Sequence, residues 1–151
     1  GHPQFMPSSY LKFAEDFDRD GRRDIWRSVS DALASIANYL GEWGWDDEFT
    51  WGREVRVTAA ARARIDQEIP TRTEGCFAMR NMTERVPLKE WQRLGVRRVN
   101  GRALPTADVT AGLVTTDTRS FLVYENYDAI LRYNCAHYYA LTVALLADQF
   151  R

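Results

Sequence analysis

Cysteine, histidine and proline are scarce in this chain of 151 residues, which holds two Cys, two His and five Pro. Two distant cysteines, Cys76 and Cys135, are too few for a disulfide scaffold. Two readings of the pair stand: one bridge formed in an oxidising compartment, or two buried thiols packed as small apolar side chains. His2 and His137 are isolated, and no Cys/His spacing suggests zinc. His137, inside an apolar helical run, reads as a core or rim residue. No charge sign dominates: 20 Lys and Arg face 21 Asp and Glu, for a net charge of −1. That balance excludes a nucleic-acid or membrane-surface partner recruited by bulk charge. Long apolar runs are missing too. The longest, residues 140–147, is broken by Thr142 and falls short of the ~20 residues that span a bilayer. There is no visible signal peptide, no internal repeat and no low-complexity segment. The chain starts at Gly1-His2-Pro3-Gln4 without an initiator Met and reads as a processed or truncated piece. What remains is an ordinary globular composition, 45% apolar and 13% aromatic, with enough length for one domain and a sizeable core.

Against that plain background one stretch stands out: Asp16-Phe17-Asp18-Arg19-Asp20-Gly21-Arg22-Arg23-Asp24-Ile25-Trp26. Asp-x-Asp-x-Asp-Gly opens a calcium loop. Carboxylates at alternate positions turn inward as the backbone curls, and Gly21 permits the sharp turn. An ordinary EF-hand closes with a bidentate Glu at its twelfth position, where this chain has Arg27, which cannot ligate a cation. A longer loop over residues 16–31 closes instead on Asp31. The expected ligands of one structural Ca²⁺ are the carboxylates of Asp16, Asp18, Asp20 and Asp31 and the carbonyl of Arg22, with Asp24 in reserve. The competing reading is an acidic turn whose carboxylates are simply solvated. A calcium sensor fits poorly, because sensors pair EF-hands and expose Met-rich grooves, and this chain has one loop and three Met.

Helices flank the loop. Pro7-Ser8-Ser9 reads as a helix start, and Ser30 as the cap of a second helix. Leu33, Ile36, Ala37, Leu40 and Trp43 recur at helical spacing as one apolar stripe, stopped by Gly44. From Trp45 to Phe121 the pattern becomes mixed. Residues 54–57 alternate as a strand. Thr58 caps an Ala-rich helix ending before Pro70, and Pro87 opens a helix from Leu88 to Leu94 stopped by Gly95. Asn100-Gly101 marks a turn, and residues 111–115 and 120–124 are strand candidates. Helix returns after Tyr124, with Tyr127, Ile130 and Leu131 on one face. From Ala136 the helix is apolar nearly all round and is expected to be deeply buried. The expected class is α+β: a helical core from residues 1–45 and 122–151, whose two ends pack together, with a small β-sheet subdomain of four or five strands inserted at 46–121.

Gln4-Phe5-Met6-Pro7-Ser8 resembles the Gln-Phe-Met-Pro-Ser motif of lytic murein transglycosylases. The loop with Asp24-Ile25-Trp26, the run from Asp31 to Leu40, Trp91-Gln92-Arg93-Leu94-Gly95, Phe121 to Tyr127, and Arg132-Tyr133-Asn134 ahead of Tyr138-Tyr139 resemble the branch related to membrane-bound lytic transglycosylase B. The likeness runs along essentially the whole chain. It implies a partial lysozyme-like core acting on peptidoglycan glycan strands in the periplasm of a Gram-negative cell envelope. The family cuts the bond between N-acetylmuramic acid and N-acetylglucosamine without water, leaving a 1,6-anhydro ring. One Glu acts as acid and then as base, unlike the usual pair of carboxylates. That Glu sits in a Glu-Ser-x-x-Gly-type motif ahead of Gln-Phe-Met-Pro-Ser, and residues 1–151 contain no Glu-Ser. Glu15 and Glu125 lie in other motifs. The expectation is a piece of the enzyme without its catalytic residue, inactive alone, whose partner is the missing N-terminal part of its own catalytic domain. The rival expectation is a non-catalytic, calcium-stabilised glycan-binding or scaffold module.

Carried over residue by residue, the resemblance implies four substrate contacts. The Gln4 amide offers donor and acceptor to a neutral sugar; otherwise it ties down its own loop. Tyr39 either packs in the core or presents ring and hydroxyl to the glycan. Tyr133 and Asn134, at a helix junction, either cap the helix or face substrate. Trp43, Trp45 and Trp51 read as core packing ahead of sugar stacking.

Overall fold

The computed structural model describes residues 1–150 and is a mixture of helix and sheet. Its contacts divide into two compact units, Gly1–Asp46 and the chain from Asp47 onward.

The first unit is a helix pair joined by the acidic loop. Helix α1, Pro7–Phe13, starts with Pro in its first turn, where the missing N–H costs no hydrogen bond. Helix α2, Val29–Glu42, is capped by Ser28, whose side chain accepts from the Asp31 N–H. The expected cap, Ser30, is the second residue of the helix and instead shares a hydroxyl–hydroxyl bond of 3.0 Å with Ser28. The buried face of α2 also differs from the expected apolar stripe. Asp31, Ala32 and Ser35 are buried, while Leu33 is 62% exposed. The cause is polar. Ser35 Oγ accepts from Glu15 N at 2.9 Å, and Asn38 Nδ2 donates to the Phe13 carbonyl at 3.1 Å. Asp31 accepts from Phe17 N at 2.9 Å. These three residues satisfy the backbone leaving α1, so the face that carries them is the one that packs. Phe13 and Tyr39 seal the same junction edge to face, with ring centroids 4.9 Å apart.

The second unit is built on a five-stranded antiparallel sheet, within the expected four or five strands. Strands β1 (Gly52–Arg56), β2 (Val86–Pro87), β3 (Arg97–Arg98), β4 (Thr110–Thr115) and β5 (Ser120–Val123) stand in the order β2-β4-β5-β1-β3. Gly52 pairs with Val123. Its φ is +155°, and a Cβ there would sit 2.4 Å from the Leu122 carbonyl oxygen, so only glycine allows the approach. Helices α3 (Ala59–Glu68) and α4 (Leu88–Leu94) form as expected, with Thr58 accepting from Ala61 N and Gly95 ending α4 at φ 100°. They bury Ile65, Trp91 and Leu94 against Val55, Leu113 and Leu122. Trp91 Nε1 donates to the Ala111 carbonyl at 2.9 Å, so the deepest polar atom of this core is paired. The alternate residue Phe121 packs with Trp51, which packs in turn on Tyr127. Both faces of β5 are thus covered, which is why residues 121–124 read as a continuous apolar run.

Helices α5 (Glu125–Tyr133) and α6 (His137–Ala147) belong to this second unit. The expected division, with 122–151 grouped with 1–45 and 46–121 set apart, is therefore not the one the contacts draw. The reason lies in a set of ties from α5 and α6 to the sheet side of the chain. Asp128 accepts from Arg72 Nη1 at 3.0 Å and from Arg85 Nη2 at 2.8 Å. Trp51 Nε1 donates to Asp148 at 3.0 Å. Cys76 and Cys135 form a disulfide across 59 residues, which decides between the two readings of the cysteine pair. Deep burial of α6 does not occur in this chain: Ala140, Leu141 and Ala144 are buried, whereas Tyr138 and Leu146 are exposed. Of the two positions expected for His137, core or rim, it takes the rim: it is half-buried, with Nδ1 3.1 Å from the Tyr127 hydroxyl. Burial holds its imidazole below the usual histidine range, although the Ala78 and Asn81 backbone pulls the other way.

The disulfide closes a long loop, so its removal is expected to be costly. Cys76→Ser/Cys135→Ser should lose about 2–5 kcal/mol of stability in urea unfolding. Equal midpoints and slopes for variant and parent would show that the bridge contributes nothing.

Candidate functional site

The acidic loop is shaped from inside by its own carboxylates. Asp16 accepts from Asp20 N at 3.1 Å through Oδ1 and from Gly21 N at 2.9 Å through Oδ2. Asp18 accepts from Asp20 N at 3.2 Å and from the Ser28 hydroxyl at 3.3 Å. The Asp18–Asp20 contact is an Asx turn, and the Asp16 carboxylate spans the curl to bond N–H groups four and five residues on. Arg19 and Gly21 take positive φ, 61° and 88°, to close the curl. Asp24 Oδ1 accepts from Trp26 N and Arg27 N, both at 3.0 Å, and so caps the turn that leads to α2.

Asp31 is the centre of the arrangement. It is fully buried. Its Oδ1 accepts from Phe17 N and its Oδ2 from Asp24 N, each at 2.9 Å, so one carboxylate holds both ends of the loop. Burial pushes its carboxyl up, but the N–H groups of Asp24, Phe17 and Asp18 and the Ser28 hydroxyl outweigh that, leaving it below the ordinary 3.8. It is therefore ionised at neutral pH.

The structure brings together Asp16, Asp18 and Asp31: each offers a carboxylate oxygen, and these oxygens all lie within 4.8 Å of one another. Oxygens bound to one Ca²⁺ at about 2.3–2.6 Å lie at most about 5 Å apart, so the three suit such an ion. Each carboxylate oxygen keeps a second lone pair beyond its N–H bond. Asp20 is outside this group; its Oδ1 accepts from Arg22 N at 2.8 Å. That bond fixes the peptide between Gly21 and Arg22, one residue ahead of the expected carbonyl ligand.

The four residues expected to meet glycan are placed as follows. Gln4 Nε2 donates to the Gly1 carbonyl at 2.8 Å, so the amide does tie its own loop. Its φ of 54° is an uncommon conformation for a non-glycine residue. Tyr39 is half-buried among Phe5, Phe13 and Trp43, with centroids 5.7, 4.9 and 6.3 Å away. Tyr133 is half-buried and stacks on Tyr139 at 6.5 Å with rings 8° from parallel. Asn134 ends α5 as its exposed C-cap, and its carbonyl accepts from Ala136 N. Gln4 and Tyr39 lie in the first unit, Tyr133 and Asn134 in the second. Of the Trp-rich run only Trp51 is core; Trp43 is 42% exposed.

Sequence reasoning missed Ser28, Ser35 and Asn38 as the residues that seat the loop. A signal existed for the first. Ser28-Val29-Ser30-Asp31 has the Ser-x-x-Asp spacing of a capping box. Only half of the box forms, because the Asp31 carboxylate is turned to Phe17 and Asp24.

The chain belongs to the transglycosylase SLT domain family, whose model matches residues 1–148. Among its relatives, membrane-bound lytic murein transglycosylase B of Escherichia coli (strain K12) is 31% identical over 145 residues, 95% of this chain and 35% of that protein. SltB3 from Pseudomonas aeruginosa, solved in complex with NAG-anhNAM-pentapeptide, is 43% identical with a TM-score of 0.82, covering 99% of this chain and 38% of that one. The Escherichia coli lytic transglycosylase SLT35, solved in complex with calcium, is 25% identical with a TM-score of 0.73, covering 98% of this chain and 42% of that one. The chain thus spans well under half the length of each.

Asp31 also fixes a pH dependence. Its folded pKa lies below its unfolded one, so its contribution is fully present above about pH 4 and is lost as pH falls through the lower folded value. Thermal melts from pH 2 to pH 6 should show stability falling at the acid end, with a smaller acid loss in Asp31→Asn, which starts from a lower melting temperature. Superimposable pH profiles for the two proteins would remove Asp31 from that role.

Proposed function

We propose that this chain is the C-terminal part of the catalytic region of a lytic transglycosylase that cleaves peptidoglycan strands in the periplasm, between N-acetylmuramic acid and N-acetylglucosamine, to give 1,6-anhydromuramic products. The observation that carries the reading is the family match over residues 1–148. Solved relatives bound to disaccharide-pentapeptides support the substrate class. The Cys76–Cys135 bridge supports an oxidising compartment, and among the described residues no helix is long and apolar enough to cross a membrane.

Within that reading the helices form part of a lysozyme-like core. Gln4 and Tyr39 of the first unit, and Tyr133 and Asn134 of the second, bind glycan through aromatic faces, amide groups and hydroxyls. The strained backbone at Gln4 suits a residue held for binding. The catalytic Glu of the family's Glu-Ser motif is not among residues 1–151, so these residues bind and orient the strand and do not deliver the proton.

Calcium belongs to the same proposal. Asp16, Asp18 and Asp31 hold the ion, with Asp20 and the Arg22 carbonyl in the outer part of the EF-hand-like loop. The ion supplies structure, not chemistry: it neutralises carboxylates that repel one another and so fixes the angle between α1 and α2. Arg19, Arg22, Arg23 and Arg27 offset part of the negative field, which sets affinity near the ~10⁻⁴–10⁻³ M of extracellular modules.

Two outcomes follow. Incubated with purified peptidoglycan, the chain should be retained on the insoluble polymer yet release no anhydromuropeptides by mass spectrometry, since loss of the proton donor alone costs ~10²–10⁴-fold. Robust release would contradict the missing-Glu reading, and no retention would contradict glycan binding. In thermal unfolding, 10 mM Ca²⁺ against EGTA should stabilise the parent by about 1–3 kcal/mol and leave Asp18→Ala unmoved. Equal melting temperatures in all four conditions would contradict the structural ion.

A further inference from the structure

The same loop has a basic side. Arg22, Arg23 and Arg27 line an open groove of about 690 Å³ together with Trp26 and Tyr10, and none of Asp16, Asp18 or Asp31 belongs to its lining. Among the described residues, no carboxylate pairs with any of these three guanidiniums. The one carboxylate in the lining is Asp24, whose Oδ1 is engaged by the N–H groups of Trp26 and Arg27. The aromatic wall is fixed. The Tyr10 hydroxyl donates to the Arg23 carbonyl at 3.1 Å, and the Tyr10 and Trp26 rings stand 5.3 Å apart at 52°. Trp26 is nonetheless 56% exposed, an indole held at the surface.

Unpaired guanidiniums are strong, geometrically selective partners for carboxylates, because their planar fork donates two parallel N–H bonds. An exposed indole beside them adds a face for C–H groups of a peptide or sugar. The groove is wide open to solvent, and its volume falls within the about 300–1,000 Å³ of small-ligand sites. A phosphate polymer would use charge without needing the rings. The ligand that uses both features carries free carboxylates on short aliphatic residues next to a sugar. We propose that this groove binds the carboxylates of the peptide stems that hang from peptidoglycan strands. Neither Gln4 nor Tyr39 lines this groove, and the proposal rests on the peptidoglycan reading above. The groove would make the protein sense whether a strand carries stems, which a neutral-glycan cleft alone cannot do.

The test is calorimetric titration of the full chain, in low salt with millimolar Ca²⁺, using four probes: a disaccharide tetrapeptide with free carboxylates, its methyl-ester form, chitotetraose and inorganic phosphate. The free-acid muropeptide should bind the parent at least about fivefold more tightly than Arg23→Ala/Arg27→Ala. Esterification should cause a similar loss, and chitotetraose should bind both proteins equally. Arg23→Lys/Arg27→Lys should recover part of the affinity, because charge remains but the fork does not. Unchanged circular dichroism and chitotetraose affinity exclude misfolding. Equal muropeptide affinity in parent and Ala variant overturns the proposal, as does phosphate that displaces the muropeptide at equal concentration. If chitotetraose binds and the muropeptide gains nothing from its carboxylates, the groove fails and the peptidoglycan reading stands. If neither binds, both fall.

Discussion

A single buried carboxylate sets the geometry of the first forty-odd residues. Asp31 sits on α2, yet its two oxygens are spent on Phe17 and Asp24, at opposite ends of the acidic loop. A buried ionised group without partners is expensive, so the loop that satisfies it is the loop that forms. Ser35 and Asn38, one and two turns further along α2, then capture the backbone that leaves α1. The position of α1 on α2 follows from those three polar contacts and from the Phe13–Tyr39 ring pair. With the negative charge of Asp31 directed inward beside Asp16 and Asp18, the arginines of the same stretch are left to face the groove that holds Trp26. One sequence run thereby presents an acidic side and a basic side.

The second unit solves a different problem. Its sheet is short-stranded, with β2 and β3 two residues each, and strands that short do not hold a sheet by pairing alone. Apolar layers do the work on both faces, Trp91 with Ile65 and Leu94 on one, Trp51 with Phe121 and Tyr127 on the other. The long connection from α3 to β2 has little regular structure, and it is fastened at points: Arg72 and Arg85 on Asp128, and Cys76 on Cys135. The half-buried Asp128 accepts from both guanidiniums, which makes it a network and not an isolated surface pair. All these fastenings end on α5 or just after it, close in sequence to Tyr133 and Asn134.

Local signals were legible wherever the backbone itself enforced them. Pro7, Thr58, Pro87 and Gly95 marked helix ends correctly because caps, fixed φ and positive φ are properties of a few adjacent residues. Strands β1, β4 and β5 showed through their β-branched and aromatic content. The family was legible too, since its motifs are short and ordered along the chain. Two kinds of feature were not. Hydropathy put the packed face of α2 on Leu33, Ile36 and Leu40, whereas that face is Asp31, Ala32 and Ser35, because hydrogen bonding to loop backbone decided the orientation. Apolar content likewise overstated the burial of α6, where Tyr138 and Leu146 remain exposed. In the loop, Asp16, Asp18 and Asp31 were found by spacing and do gather. That Asp20 would turn to Arg22 N depends on a local backbone twist at Arg19 and Gly21 that composition does not encode.

The central claim is that the Asp31 carboxylate clamps both ends of the loop. The most direct measurement is residue-resolved amide hydrogen exchange by NMR, comparing the parent with Asp31→Asn. The clamp predicts that the Phe17 and Asp24 amides are protected in the parent and lose protection together in the variant, while amides of β4 and β5 keep theirs. Phe17 and Asp24 amides that exchange at the same rates in both proteins would contradict it.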